Sequence, residues 1–497
     1  MSVFGRPARN QLDLPLVLVV ATIAGLAAAT FPPLVTIALT GAILAAVVLI
    51  ALRDATDWRP ASLQVNRVSG LIRERASATA GRDTTLRRWA RLAYYAGLLF
   101  TGVQILRPVL GVTVSDVFFV LAVVGAVFSV RAREAPHAGY LPPLMLIGAS
   151  LFIVATLVST VSAQTPVDSL IQMAKFSFLV FGWFWAGSNL LTTHQHVERA
   201  TVAWIATAAV NGGAALLQLL AGDDVIPGGL AQWGRMAGLT DHFNDLGAVS
   251  AVAFAPALAM VLLTTGGVRL LAVTAAALIL VGVLLSGSVA AVVASLVSVV
   301  VWAVCSRFQL GPRTAVVLLG GAIMAVWMIG VLESAGALTP LGRLDTAAGE
   351  GGTFSTRLET YGEAWWAIGL DPMVGTGLDQ GPTPSGYDVH NLFLGTWYQT
   401  GLVGISGLLL IIGSVGLIGI AVAAQAVSRR ERILALGLLS GFVAFLVVGQ
   451  SQPFLIQRYA WIPAALLLTV HARHLRRPSK ALIPWSVQPD RQPSSDA

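Results

Sequence analysis

Residues 353–404 read TFSTRLETYGEAWWAIGLDPMVGTGLDQGPTPSGYDVHNLFLGTWYQTGLVG, the centre of a polar interruption (333–404) in an otherwise apolar chain. Apolar runs flank it, 315–331 before and 401–424 after, each long enough to cross a bilayer core as a helix. A segment of this length with its own helical pattern, glycine turns and a His-Asn pair reads as a large loop on one side of a membrane that carries chemistry.

Composition agrees. Of 497 residues, 56% are hydrophobic and 11% charged, and the mean hydropathy is +0.77. Soluble domains carry about 25% charged residues, so the expected fold is all-α and polytopic, an integral membrane protein. The net charge of +7 does not point to nucleic acid, because the arginines sit in short breaks between apolar runs, where they set topology. Cys305 is the one cysteine, which excludes an internal disulfide and a cysteine-held metal.

Outward from the loop, apolar runs recur along both arms, and spacing by bilayer thickness gives about 14 transmembrane helices. On the N-terminal side, residues 1–332 hold the runs that begin at Leu14 and Leu34, then a hydrophilic segment, 53–91, with nine arginines against four acids. Further spans are expected at 92–110, 116–130, 141–161, 169–191, 201–220, 247–263, 270–285 and 289–305, with a smaller polar loop at 221–245. On the C-terminal side, spans are expected across 401–472, with 473–497 a disordered tail. Alternation from a cytoplasmic N-terminus places every arginine-rich break and the C-terminus inside, and the loops 221–245 and 333–400 outside.

Within the large loop, Ser355 can cap a helix whose Leu358, Tyr361, Trp365 and Ile368 follow helical spacing, an aromatic surface helix with Trp365 at headgroup depth. Arg357 lies off that stripe, where its fork can take a phosphate. Gly375 and Gly377 turn the chain, and His390 and Asn391 open a second helix that bends at Gly401 and Gly404. In the smaller loop Arg235 is a second anion ligand, in company with His242 and Asn244. Lys175 interrupts an apolar run and reads either as an embedded functional cation or as a side chain that snorkels to the interface. The seven histidines do not pair with carboxylates at ligand spacing, so neither a metal nor another cofactor is expected.

These blocks together resemble the O-antigen ligase and O-antigen polymerase superfamily of bacterial membrane glycosyltransferases. The likeness rests on ALLQLLAG (215–222), GRMAGLTDHFNDLG (234–247), STRLETYGEAWWAIGLDPMVGTGLD (355–379) and VHNLFLGTWYQTGLVG (389–404). One departure stands out: LLSGSVAAVVA (284–294) has Val289 where many members carry an arginine, a contact that is either missing here or supplied elsewhere, by Lys175 or Arg343. The resemblance implies a GT-C-like fold and transfer of a glycan from a polyprenyl-pyrophosphate carrier to a sugar hydroxyl of a glycan or lipid-glycan acceptor, at the outer face of the plasma membrane, without a metal.

The residue types suit that chemistry. Arginines stabilise charge that grows on a pyrophosphate leaving group, and a neutral histidine accepts the hydroxyl proton. His390 is the expected catalytic base; Arg235 and Arg357, with Lys175, Asn244, Asn391 and Trp365, are the expected substrate contacts. A multi-pass transporter or lipid-linked-glycan flippase is the competing reading. It calls for charged or broken helices in matching halves, whereas the polar groups here gather in two unequal loops.

Overall fold

The computed structural model describes residues 84–104, 112–131, 140–222, 225–226, 233–306, 328–347, 353–378 and 383–476. The expected spans from Leu14 and Leu34, residues 53–83 of the basic segment, most of the run 315–331 and the tail from 477 lie outside them.

The helices in chain order are α1 (Thr85–Phe100), α2 (Val114–Arg131), α3 (Pro143–Ser159), α4 (Pro166–Ser177), α5 (Phe184–Leu190), α6 (His194–Ala221) and α7 (Phe243–Leu263). Then follow α8 (Gly266–Leu285), α9 (Val289–Cys305), α10 (Pro340–Ala347), α11 (Thr353–Leu370), α12 (Leu392–Ala424), α13 (Arg429–Val448) and α14 (Arg458–Arg476). A π-helical turn, Phe178–Trp183, joins α4 to α5. Among the described residues seven helices are long and apolar enough to cross a membrane, and α9 and Val114–Val130 are shorter apolar helices. The protein is therefore an all-helical, polytopic membrane protein as far as it is described, with the full count of about fourteen resting partly on segments outside that range.

The apolar residues that make these helices also sort them. α13 is almost wholly enclosed, whereas α8 turns much of its surface outward, with Val268, Leu270 and Leu271 exposed. Exposed leucines on a spanning helix meet lipid tails at no hydrophobic cost, and so need no protein cover. Close packing inside uses small residues. A Cβ on Gly148 of α3 would stand 2.6 Å from the carbonyl oxygen of Gly407, and one on Gly407 would stand 2.6 Å from that of Gly148, so the two backbones touch where α3 crosses α12.

Several boundaries differ from those expected. α11 starts at Thr353, so Ser355 lies inside the helix and does not cap it. The second loop helix starts at Leu392, with His390 and Asn391 before it. Asn391 is the cap, its Oδ1 accepting from the Phe393 and Leu394 amides at 2.9 and 3.0 Å. α14 continues to Arg476, into the expected tail; a hydrogen bond of 2.9 Å between His474 Nε2 and the buried Glu431 Oε1 ties that last turn to α13.

The bend expected at Gly401 is there, and its reason is tertiary. Gly401 has φ 66° and ψ −174° inside α12, and a Cβ would stand 2.0 Å from the Met373 carbonyl oxygen. The turn 371–378 is strapped to this bend: the Leu402 amide donates to the Pro372 carbonyl at 2.8 Å, and the Thr376 and Gly377 amides donate to those of Tyr398 and Gln399 at 3.0 and 2.9 Å. Gly401→Ala is expected to destabilise the protein by about 1–3 kcal/mol from backbone strain alone, with the clash added. The measurement is the midpoint of thermal unfolding in detergent, and an unchanged midpoint would mean that the strap is dispensable.

Candidate active site

The site forms where five separated pieces of chain meet: residues 234–247, the turn after α8, α10, α11 and the extended segment 388–391. Arg235 is buried, 3% exposed. Its Nε donates to the Ser286 carbonyl at 2.7 Å and its Nη2 to Asn244 Oδ1 at 2.7 Å, while the guanidinium carbon lies 3.4 Å from the centre of the Phe243 ring. These contacts fix the fork without neutralising it. The next residue, Met236, donates its amide to the Leu285 carbonyl at 2.9 Å, and Leu338 donates to that of Gly234 at 2.8 Å, which locks the loop to the end of α8 and to the approach to α10.

Gly287, at φ 59°, makes room for this: a Cβ there would lie 2.8 Å from Arg235 Nε. Its carbonyl accepts from Arg343 Nη1 at 3.3 Å. The turn 286–288 thus holds one arginine on each of two successive carbonyls, Arg235 at Ser286 and Arg343 at Gly287. Val289 follows this turn directly, and Arg343 reaches the turn from α10.

Arg357 stands on the second turn of α11. Its Nε is buried without a hydrogen-bond partner, and its charge acts on Arg235, Arg343, His242 and His390. Burial and the like charges of Arg343 and Arg357 pull the pKa of Arg235 downward. Guanidinium groups do not give up their protons at ordinary pH, so the effect is stored as repulsion, and an anion between them relieves it. Neither Arg235 nor Arg357 has a carboxylate partner among the described residues.

One turn beyond Arg357, the Tyr361 hydroxyl donates to the His390 carbonyl at 2.7 Å. Asn391 Nδ2 donates to the Gln450 carbonyl at 3.3 Å. His390 is thereby fixed by its backbone on one side and by the helix cap on the other, while its ring Nδ1 is buried with no hydrogen-bond partner. Burial, then the charge of Arg357, then His242 depress its pKa to about 4. His242 is depressed to about 4 by burial and by Arg235, Arg343 and Arg357, but its Nδ1 already accepts from the Asn244 amide at 3.1 Å, as the cap of α7. Both rings are neutral near pH 7, and His390 has the uncommitted nitrogen.

The other expected contacts fall around this centre. Asn244 holds Arg235, and Asn391 is engaged as a helix cap. Trp365 packs beside Tyr361 and Ile368 and meets Trp397 edge to face at 5.5 Å. Lys175 lies in the last turn of α4, nine residues and roughly 14 Å along the helix from its start. Sequence reasoning passed over Tyr361 as part of an apolar stripe. Its hydroxyl was the available signal, since a buried tyrosine needs a partner.

Residues 274–409 match the family model described as O-antigen ligase. The match supports the O-antigen ligase and polymerase superfamily. It takes in Ser286, Gly287, Arg343, Arg357 and His390, while Arg235 and His242 lie before it. No curated protein matches the sequence. Together with the apolar helices, the O-antigen ligase match supports a membrane glycosyltransferase-like function, a glycan donor and acceptor in the membrane, and an inner-membrane location.

Proposed function

We propose that the protein transfers a glycan from a polyprenyl-diphosphate carrier to a sugar hydroxyl, and that Arg235, Arg343 and Arg357 hold the diphosphate while His390 takes the hydroxyl proton. The observation that carries this reading is the convergence of three guanidinium groups on His242, one of which, Arg357, also acts on His390, a neutral histidine whose Nδ1 has no partner. In the step, the acceptor oxygen bonds to the anomeric carbon as the carbon–oxygen bond to the diphosphate breaks. The electron pair leaves on the diphosphate, where the arginines stabilise it, and the proton passes to His390.

The placement of charge supports an extracytoplasmic site. At one end, α6 and α13 are joined by Arg430 with Glu198, and Arg91 meets His196, its Nη1 2.8 Å from Nδ1. The opposite ends of α6 and α13 reach the site: Gln218 Oε1 accepts from the Gly238 amide at 2.8 Å, and the Gln450 carbonyl accepts from Asn391. By the positive-inside rule the arginine-rich end is cytoplasmic, so the site faces out.

The test is transfer by the purified protein in lipid nanodiscs, with a polyprenyl-diphosphate oligosaccharide from the source cell's envelope as donor, envelope glycan as acceptor, and a chelator present. A new glycosidic linkage with release of the polyprenyl diphosphate is expected. Movement of the donor across a bilayer with no new linkage would replace this reading with a flippase.

A further inference from the structure

A cleft is lined by the residues on either side of His390 in the chain. Its lining includes Asp388, Val389 and Asn391 of the segment that carries His390, Gln172 of α4, and Thr396 and Gln399 of α12, with leucine, proline and isoleucine side chains completing it. Two contacts set its shape. The Leu378 amide donates to Ser169 Oγ at 3.1 Å, which brings the turn 371–378 against α4, and the Gly377 bond to the Gln399 carbonyl places the end of the first half of α12 beside it.

The chemistry of this lining is the complement of the arginine cluster. Among the described residues no cation lines the cleft. It offers acceptor oxygens: the Asp388 carboxylate, the Thr396 hydroxyl, and the Gln172 Oε1, which is buried with no hydrogen-bond partner. A diphosphate has no donors for these groups, whereas a sugar has a hydroxyl for each and an apolar C–H face for the leucine and isoleucine side chains.

We infer that this cleft is the subsite for the acceptor sugar, which it holds through the Gln172 and Asp388 oxygens and the Gln399 amide beside His390. The inference rests on the transferase reading, and divides the site into a cationic half for the leaving diphosphate and an acceptor-rich half for the incoming hydroxyl.

The probe is a set of methyl pyranosides of glucose, galactose, mannose and rhamnose, read by saturation-transfer NMR on the whole protein in nanodiscs free of glycoside detergent. At least one is expected to receive saturation from wild type. That signal is expected to fall at least fivefold in Asp388→Asn, which keeps the side chain's shape, and in Gln172→Leu, and to survive both Arg357→Ala and added inorganic pyrophosphate. Absence of the signal in wild type, equal signals in both variants, or loss on adding pyrophosphate would overturn the inference. A bound glycoside in a protein that forms no linkage would defeat the transferase reading and leave the sugar cleft standing; transfer that proceeds with no glycoside signal would do the reverse.

Discussion

His390→Ala is expected to lower the transfer rate by about two to four orders of magnitude, the usual effect of a positioned general base. The comparison variant is His242→Asn, which keeps a side chain able to cap α7 and is expected to lose less than tenfold. The distinction follows from the ring nitrogens: that of His242 is engaged by the Asn244 amide, and that of His390 is not. The pH profile makes the assignment sharper. With its pKa lowered to about 4, His390 is neutral and able to accept a proton at all higher pH, so kcat/KM falls only as the pH approaches about 4. In the complex the diphosphate brings negative charge beside the ring, which favours the imidazolium and raises its pKa. The acid limb of kcat is therefore expected at higher pH than that of kcat/KM, and His390→Ala is expected to abolish both. Full activity in His390→Ala, or an acid limb that survives it, would remove His390 from the chemistry.

Arg357→Ala is expected to cost about two to three orders of magnitude in kcat, the scale for losing one charge-stabilising donor at a reacting centre. Arg357 is a better probe than Arg235, because truncating Arg235 also strips donors from the Ser286 carbonyl and from Asn244 and would disturb the fold. Arg357→Lys keeps the charge without the two-pronged geometry and is expected to fall between wild type and alanine. Inorganic pyrophosphate supplies a readout separate from turnover. It is expected to inhibit wild type competitively with donor and to inhibit Arg357→Ala at least tenfold less well. Equal inhibition of both would place the diphosphate elsewhere.

Much of this site is legible in the residues, in particular ways. Arg235, Arg357 and His390 stand out because each is a chemically capable group in a polar loop between apolar runs, and Gly401 because two glycines at the mouth of a span permit a bend. Arg343 was legible only as a substitute for a missing contact at Val289, since no local pattern separates it from a solvated loop arginine. Asn391 read as a substrate contact together with His390, and its side chain is found closing the first turn of α12, a role decided by a helix that begins later than expected.

What the sequence alone determined is the class of the protein and its membrane-crossing pieces. Hydropathy and length act locally: about 20 apolar residues satisfy their own backbone as a helix in lipid wherever the rest of the chain lies. The meeting of Arg235, Arg343 and Arg357 about His242, with Arg357 also acting on His390, was left to the tertiary structure. Like charges repel, so no periodicity draws them together; helix packing and the carbonyls of Ser286 and Gly287 hold two of them in place against that repulsion. The cleft beside His390 is likewise tertiary, because α4, the turn 371–378 and α12 are far apart in the chain and come together only through contacts such as that of Leu378 with Ser169.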